Sequence, residues 1–219
     1  MTCKGHPVGA PPQEGLFFAC CLLCGCRGAG PVPKCGMPDS RPIRCFLGVP
    51  VDAAFAAQLQ PLRAGLRQQS WASTLRWVEP PNLHLTLAFL GDQPLELIQS
   101  LQRELLAPLA SLPVFQLHSH CLSTFPDARS SIVALEFHSC DALQQLKTVV
   151  DEVLRQSGLV PDQRPLRPHI TLARGRRGQR LPLQAQPCEL NLSVCGVSLF
   201  QSVPGAAGSD YQPLWSIAL

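Results

Sequence analysis

From residue 41 onward the apolar positions switch between two periods, alternate residues for strands and every third or fourth for helices. The first apolar run, Ile43–Pro50, reads as a strand with Phe46 and Gly48 on one face and Cys45 and Leu47 on the other. Asp52 then stands as N-cap to a helix whose Phe55, Leu59, Leu62 and Leu66 recur at helical spacing. Arg76-Trp77-Val78 is a short extended piece, residues 79–82 a proline turn, and residues 83–90 a strand ended by Gly91-Asp92. Pro94 suits the first turn of a second helix, with Leu95, Ile98, Leu101 and Leu105 facing inward.

The second half repeats this order. Residues 114–121 and 131–138 read as strands around a turn at Pro126-Asp127. Ser139 or Asp141 caps a helix carrying Leu143, Leu146, Val150 and Leu154, and Gly158 closes it. An Arg/Pro-rich loop leads to a short strand at residues 169–173, and residues 189–203 and 211–219 alternate like antiparallel strands. The two short strands match locally, His84-Leu85-Thr86-Leu87-Ala88 against His169-Ile170-Thr171-Leu172-Ala173. The fold class expected is therefore α+β, an internal duplication with two antiparallel-rich lobes related by a pseudo-twofold axis about one cleft, helices outside.

Candidate chemistry follows from the alternation. On a strand, His84 and Thr86 project to one face, as do His169 and Thr171, while Leu85, Leu87, Ile170 and Leu172 point to a core. Two imidazoles and two hydroxyls around one point suit a phosphate: hydroxyls donate to its oxygens, and imidazoles serve as one acid and one base near neutral pH. Six arginines, Arg164, Arg167, Arg174, Arg176, Arg177 and Arg180, crowd the second motif. Arg174 closes the motif strand and is the one assigned to the phosphate. Phe46 and Trp77 are candidates either to stack a terminal base or to pack in the core, and Tyr211 either to hydrogen-bond near the cleft or to serve structure. His118, His120 and His138, with no threonine two residues on, read as structural or surface histidines. No Asp/Glu cluster accompanies either motif, so no metal or other cofactor is expected.

Composition changes the picture at one end only. A net charge of +3 is too small to argue for a nucleic-acid partner by itself. Of eleven cysteines, Cys3, Cys20, Cys21, Cys24, Cys26 and Cys35 lie in the first 36 residues, and the rest are scattered, as reduced thiols in a cytoplasmic protein would be. Cys21 and Cys24 have metal spacing, but no second pair follows. The apolar stretch 16–26 is too short to span a bilayer, and Glu14 and several prolines precede it, against an export signal. Residues 1–40 are read as an extension outside the fold, with Met37 just ahead of the first strand; residues 41–219 form the domain.

With these motifs the chain resembles the two-histidine phosphoesterase superfamily, and most of all its RNA 2',3'-cyclic phosphodiesterase branch, whose older name is 2'-5' RNA ligase. The resemblance covers residues 42–219 and rests also on Arg44-Cys45-Phe46-Leu47, Arg76-Trp77-Val78, Phe89-Leu90-Gly91, Arg167-Pro168, Arg174, Ser198-Leu199-Phe200-Gln201-Ser202 and Gly208-Ser209-Asp210-Tyr211. Cys45 stands where a bulkier apolar residue is expected, and residues 1–40 have no counterpart. The resemblance implies metal-free hydrolysis of 2',3'-cyclic phosphate ends of RNA to 2'-phosphomonoesters, with His84 as proton donor and His169 as proton acceptor. It implies RNA ends as partner, a monomer and no membrane. Ligation at the same site and a non-catalytic RNA-end binding module are the competing readings.

Overall fold

The computed structural model describes residues 41–205 and 208–219; the expectations for residues 1–40, including the Cys21/Cys24 pair and the start at Met37, lie outside the described residues. The elements follow in the order β1 (Ile43–Pro50), α1 (Ala53–Arg67), β2 (Arg76–Trp77), β3 (His84–Gln93), α2 (Leu95–Ala110), β4 (Phe115–Thr124), β5 (Ile132–Phe137), α3 (Asp141–Gln156), β6 (His169–Arg174), β7 (Gln186–Pro187), β8 (Asn191–Val194), β9 (Gly196–Gly205) and β10 (Gly208–Ala218). The class is α+β, with an antiparallel sheet and three helices among the described residues. None of these helices is long and apolar enough to cross a membrane.

The sheet runs β10-β9-β1-β3-β6-β5-β4-β7, with β2 beside β6 and β8 beside β4. It is one continuous antiparallel surface, where separate sheets facing a cleft were expected, because the two motif strands pair directly at Leu85 and Ile170. On one side of that contact lies the unit β1-α1-β3 with β9 outside it; on the other lies β5-α3-β6 with β4 outside it. Helices and sheet close over a single cluster that holds Phe55, Leu59, Leu101, Leu105, Leu146 and Val150 with Leu85, Leu87, Ile170 and Leu172. Burying the alternate residues of β3 and β6 in this way leaves His84, Thr86, His169 and Thr171 on the opposite face.

Local chemistry explains several boundaries. Asp52 caps α1 by accepting from the Phe55 amide at 2.6 Å, as expected. For α3 the cap is Cys140, which offers no side-chain bond, and Asp141 is instead the first helical residue, favourable against the helix dipole. Gly158, at φ 79°, follows the end of α3. Gly91 does not end β3: its φ of 72° lets the strand bulge and continue to Gln93, paired with Ile43. On the helices, Leu95 is exposed and Leu109 takes the inward position at the far end of α2. In α1 it is Arg63 that is buried while Leu62 is only half-buried, because the Arg63 guanidinium reaches the Val78 carbonyl ahead of the first motif.

β1 approaches β3 so closely that a Cβ on Gly48 would stand 2.9 Å from the backbone oxygen of Leu85. Gly48→Ala is therefore expected to destabilise the fold by roughly 1–3 kcal/mol, as overpacking against a backbone atom that cannot yield. A urea denaturation midpoint equal to that of the wild type would refute the close approach.

Candidate active site

The pairing of Leu85 with Ile170 sets the geometry. In an antiparallel register the neighbours of these residues fall His84 beside Thr171 and Thr86 beside His169, so histidines and threonines alternate around the contact. All four line one cleft of about 290 Å³, together with Arg44, Arg174, Phe89, Ser202, Ser209 and Tyr211. Among the described residues no carboxylate lines it. Neither threonine hydroxyl has a protein hydrogen-bond partner among the described residues, which leaves both free to donate to a ligand.

Each imidazole is held by the backbone two residues before it. Nδ1 of His84 lies 2.8 Å from the Asn82 carbonyl, and Nδ1 of His169 lies 2.9 Å from the Arg167 carbonyl. A carbonyl only accepts, so Nδ1 carries the proton in both rings and Nε2 is the nitrogen left for chemistry. Asn82 also accepts the Tyr211 amide through Oδ1 at 3.0 Å, which ties β10 to the His84 anchor. Aromatic rings back both imidazoles. Phe46 lies 4.6 Å from His84 and Tyr211 meets it edge-on at 4.9 Å. Phe125 stacks on His169 at 3.8 Å, and the Arg167 guanidinium covers Phe125 at 4.6 Å while pairing with Glu136 at 3.1 Å.

Burial pushes the His84 imidazole down from 6.5 to about 4; the Asn82 carbonyl opposes this, and the charges of Arg174 and His169 reinforce it. His169 is also lowered, first by burial and then by Arg174 and Arg167, but the Arg167 carbonyl and Glu136 pull it back up. Both shifts favour the neutral imidazole. Cys45, also in the lining, is pushed up to about 11 by burial, with Asp92 adding to it, and stays a thiol. Among the described residues no group of three or more His, Cys, Asp or Glu is arranged to hold a metal ion.

Of the six arginines near the second motif, only Arg174 lines the cleft. Arg164 pairs with Asp162, Arg167 with Glu136, and Arg176, Arg177 and Arg180 are exposed elsewhere. Phe46 offers no open face for a base: it is 3% exposed, stacked on Phe200 at 5.2 Å. Trp77 lies outside the cleft, in an adjoining groove, with the Arg67 guanidinium 5.0 Å over its ring. His118 bonds Asn191, and His120 packs on His138, all away from the cleft.

Sequence reasoning missed Phe89, Arg44, Ser202 and Ser209 as part of the lining. Strict alternation after His84 and Thr86 puts Phe89 into the core. The register with β1 skips Leu87, however, and this extra residue reverses the phase so that Ala88 is buried and Phe89 emerges 78% exposed on the cleft face. The same slip recurs in β6, where the register with β5 skips Leu172, Ala173 is buried, and Arg174 emerges. Phe89 and Arg174 therefore hold equivalent places, five residues after each motif histidine.

A sequence profile described as the 2'-5' RNA ligase superfamily matches residues 50–194. An RNA 2',3'-cyclic phosphodiesterase of Bacillus subtilis is 28% identical over 169 residues, covering 75% of this chain and 90% of its own. One of Archaeoglobus fulgidus is 29% identical over 136 residues, 62% and 74% of the two chains. Among solved structures, E. coli LigT in apo form gives a TM-score of 0.67 at 30% identity, over 82% of this chain and 99% of that one.

The depressed pKa of His84 has a consequence for stability. Below pH 6.5 the unfolded chain takes a proton that the folded imidazole refuses until about pH 4, so the unfolded state binds more protons and stability falls with pH across that window. His84→Gln should reduce the acid-induced loss by up to about 3 kcal/mol. Parallel unfolding curves of wild type and variant at pH 7.5 and 4.5, differing by the same amount at both, would contradict the burial of a neutral ring.

Proposed function

The chain belongs to the 2'-5' RNA ligase superfamily, and on that premise we propose that it hydrolyses the 2',3'-cyclic phosphate at an RNA end, leaving a 2'-phosphomonoester. The observation that carries the reading is the pairing of the two His-x-Thr strands at Leu85 and Ile170, which gathers both imidazoles, both hydroxyls and Arg174 in one cleft, with no carboxylate among its described lining residues. The similarity to chains named RNA 2',3'-cyclic phosphodiesterase supports it.

In this mechanism Thr86, Thr171 and Arg174 hold the non-bridging oxygens, donors set where charge develops. Nε2 of neutral His169 takes a proton from water as the water oxygen attacks phosphorus. The P–O3' bond breaks, and the proton on Nε2 of His84 passes to O3'. Burial disfavours a charged His84, and the negative charge of the substrate phosphate opposes it and lets the ring keep its proton. Phe89 offers the exposed aromatic face on which the terminal base stacks, the role that Phe46 is too enclosed to fill. With a 5'-hydroxyl in place of water the same steps join ends: the 5'-oxygen attacks phosphorus, the P–O3' bond breaks, and this is the ligation alternative. The described cysteines carry free thiols, which supports a reducing, cytoplasmic setting.

The test is turnover of a nucleoside 2',3'-cyclic phosphate in chelator. His84→Ala and His169→Ala should each abolish nearly all of it, while Thr86→Ala and Thr171→Ala should lose roughly ten- to hundredfold, a hydrogen bond to a charged group. A folded histidine variant with most of its activity would sink the two-histidine mechanism, and activity lost to chelator and restored by a divalent cation would sink its metal-free form.

The pH dependence follows from the lowered imidazoles. One ring must start neutral and the other charged, so kcat/KM should be bell-shaped, with its maximum below pH 6.5 because burial lowers both groups in the free enzyme. The kcat profile should lie at higher pH, since bound phosphate raises both. A flat profile between pH 5 and 8 would exclude the pair as proton carriers.

A further inference from the structure

Beyond Arg174, Ser209 and Tyr211 the cleft opens into a second cavity of about 560 Å³, walled on its far side by Arg76 and Trp77. Its volume falls within the range of sites for nucleotide-sized ligands, roughly 300–1,000 Å³. Arg76 and Arg174 are paired positions on β2 and β6, so their side chains leave the sheet on the same face, and both line the cavity. The Arg76 guanidinium rests against Gly208, where an added Cβ would stand 2.9 Å from it. Gly208, at φ 131°, is thus a residue that leaves room for the guanidinium.

Arg76 is exposed and has no carboxylate partner among the described residues. Two acids also line the cavity, neither in an ion pair with Arg76: Glu79 pairs with Arg67 at 3.6 Å, and Asp210 accepts the Tyr211 amide at 3.1 Å. A guanidinium with no ion-pair partner among the described residues, next to a phosphate cleft and in a cavity with an aromatic wall, offers a nucleotide a donor for its phosphate and a face for its base.

The chemistry of the substrate says which nucleotide. At a 2',3'-cyclic end both ribose hydroxyls are closed into the ring, so the chain continues only from the 5'-oxygen, through a phosphodiester to the residue before it. We infer that the cavity is a second nucleotide subsite, which takes the residue preceding the cyclic end and sets Arg76 on the internucleotide phosphate. The inference rests on the phosphodiesterase reading above and adds to it a place for the nucleotide before the cyclic end and a residue that holds it.

The experiment compares kcat/KM for cytidine 2',3'-cyclic phosphate with that for a dinucleotide carrying the same cyclic end. The wild type should favour the dinucleotide by about tenfold, the scale of one charge-assisted hydrogen bond. Arg76→Gln should bring the ratio close to one, Arg76→Lys should keep part of it, and added salt should erode it in the wild type. Equal kcat/KM for the two substrates in the wild type, or a preference that Arg76→Gln leaves intact, would overturn the subsite while leaving single-nucleotide turnover standing. Turnover of neither substrate by the wild type would overturn the phosphodiesterase reading and the subsite with it.

Discussion

The contact between Leu85 and Ile170 is the constraint on which the rest of the molecule depends. It joins β3 to β6 at the middle of the sheet, and the residues on either side of each partner are the four that carry the proposed chemistry. Both leucine-rich faces must stay in the core for this to hold, since a slip of one residue would send both histidines inward. Leu85, Leu87, Ile170 and Leu172 are all buried in the common cluster, and that burial is what keeps the polar faces turned to the cleft. The site is in this sense a by-product of how the two strands bury their other side.

What surrounds the cleft is tuned toward anions. Arg44 and Arg174 lie in the lining with no carboxylate among the described residues there, and burial and the charge of Arg174 lower both imidazoles. Each ring is fixed by a main-chain carbonyl on Nδ1 and by an aromatic neighbour, Phe46 for His84 and Phe125 for His169. Glu136 gives the second lobe a carboxylate that His84 lacks, so the two histidines differ in environment although they match in sequence.

Much of this was legible in the sequence because it obeys simple periods. Phe55 and Leu59 on the first helix, Leu143, Leu146, Val150 and Leu154 on the third, and the alternation around His84 and His169 were read from spacing alone and occupy the places expected. Phe89 could not be found this way, since its exposure arises from a bulge, and a bulge depends on the partner strand β1 and not on local pattern. Arg174 was assigned from its place at the end of the strand, and the same kind of bulge is what carries it to the cleft. The burial of Arg63 was illegible for a related reason: its partner is the Val78 carbonyl, fifteen residues away in a turn whose course spacing does not encode. The single continuous sheet was also missed, because a pairing of one residue leaves no signature in either strand.

The equivalence of Phe89 and Arg174 removes an ambiguity that duplication would otherwise create. A cleft with two like histidines and two like threonines offers a bound phosphate ester two orientations, related by half a turn, and only one of them can be productive if the rings divide the labour of acid and base. A planar hydrocarbon face at one end and a guanidinium at the other make those orientations unequal in energy. The cleft thereby acquires a polarity, and the degeneracy inherited from a repeated motif is lifted by a single pair of residues at the same step of each strand.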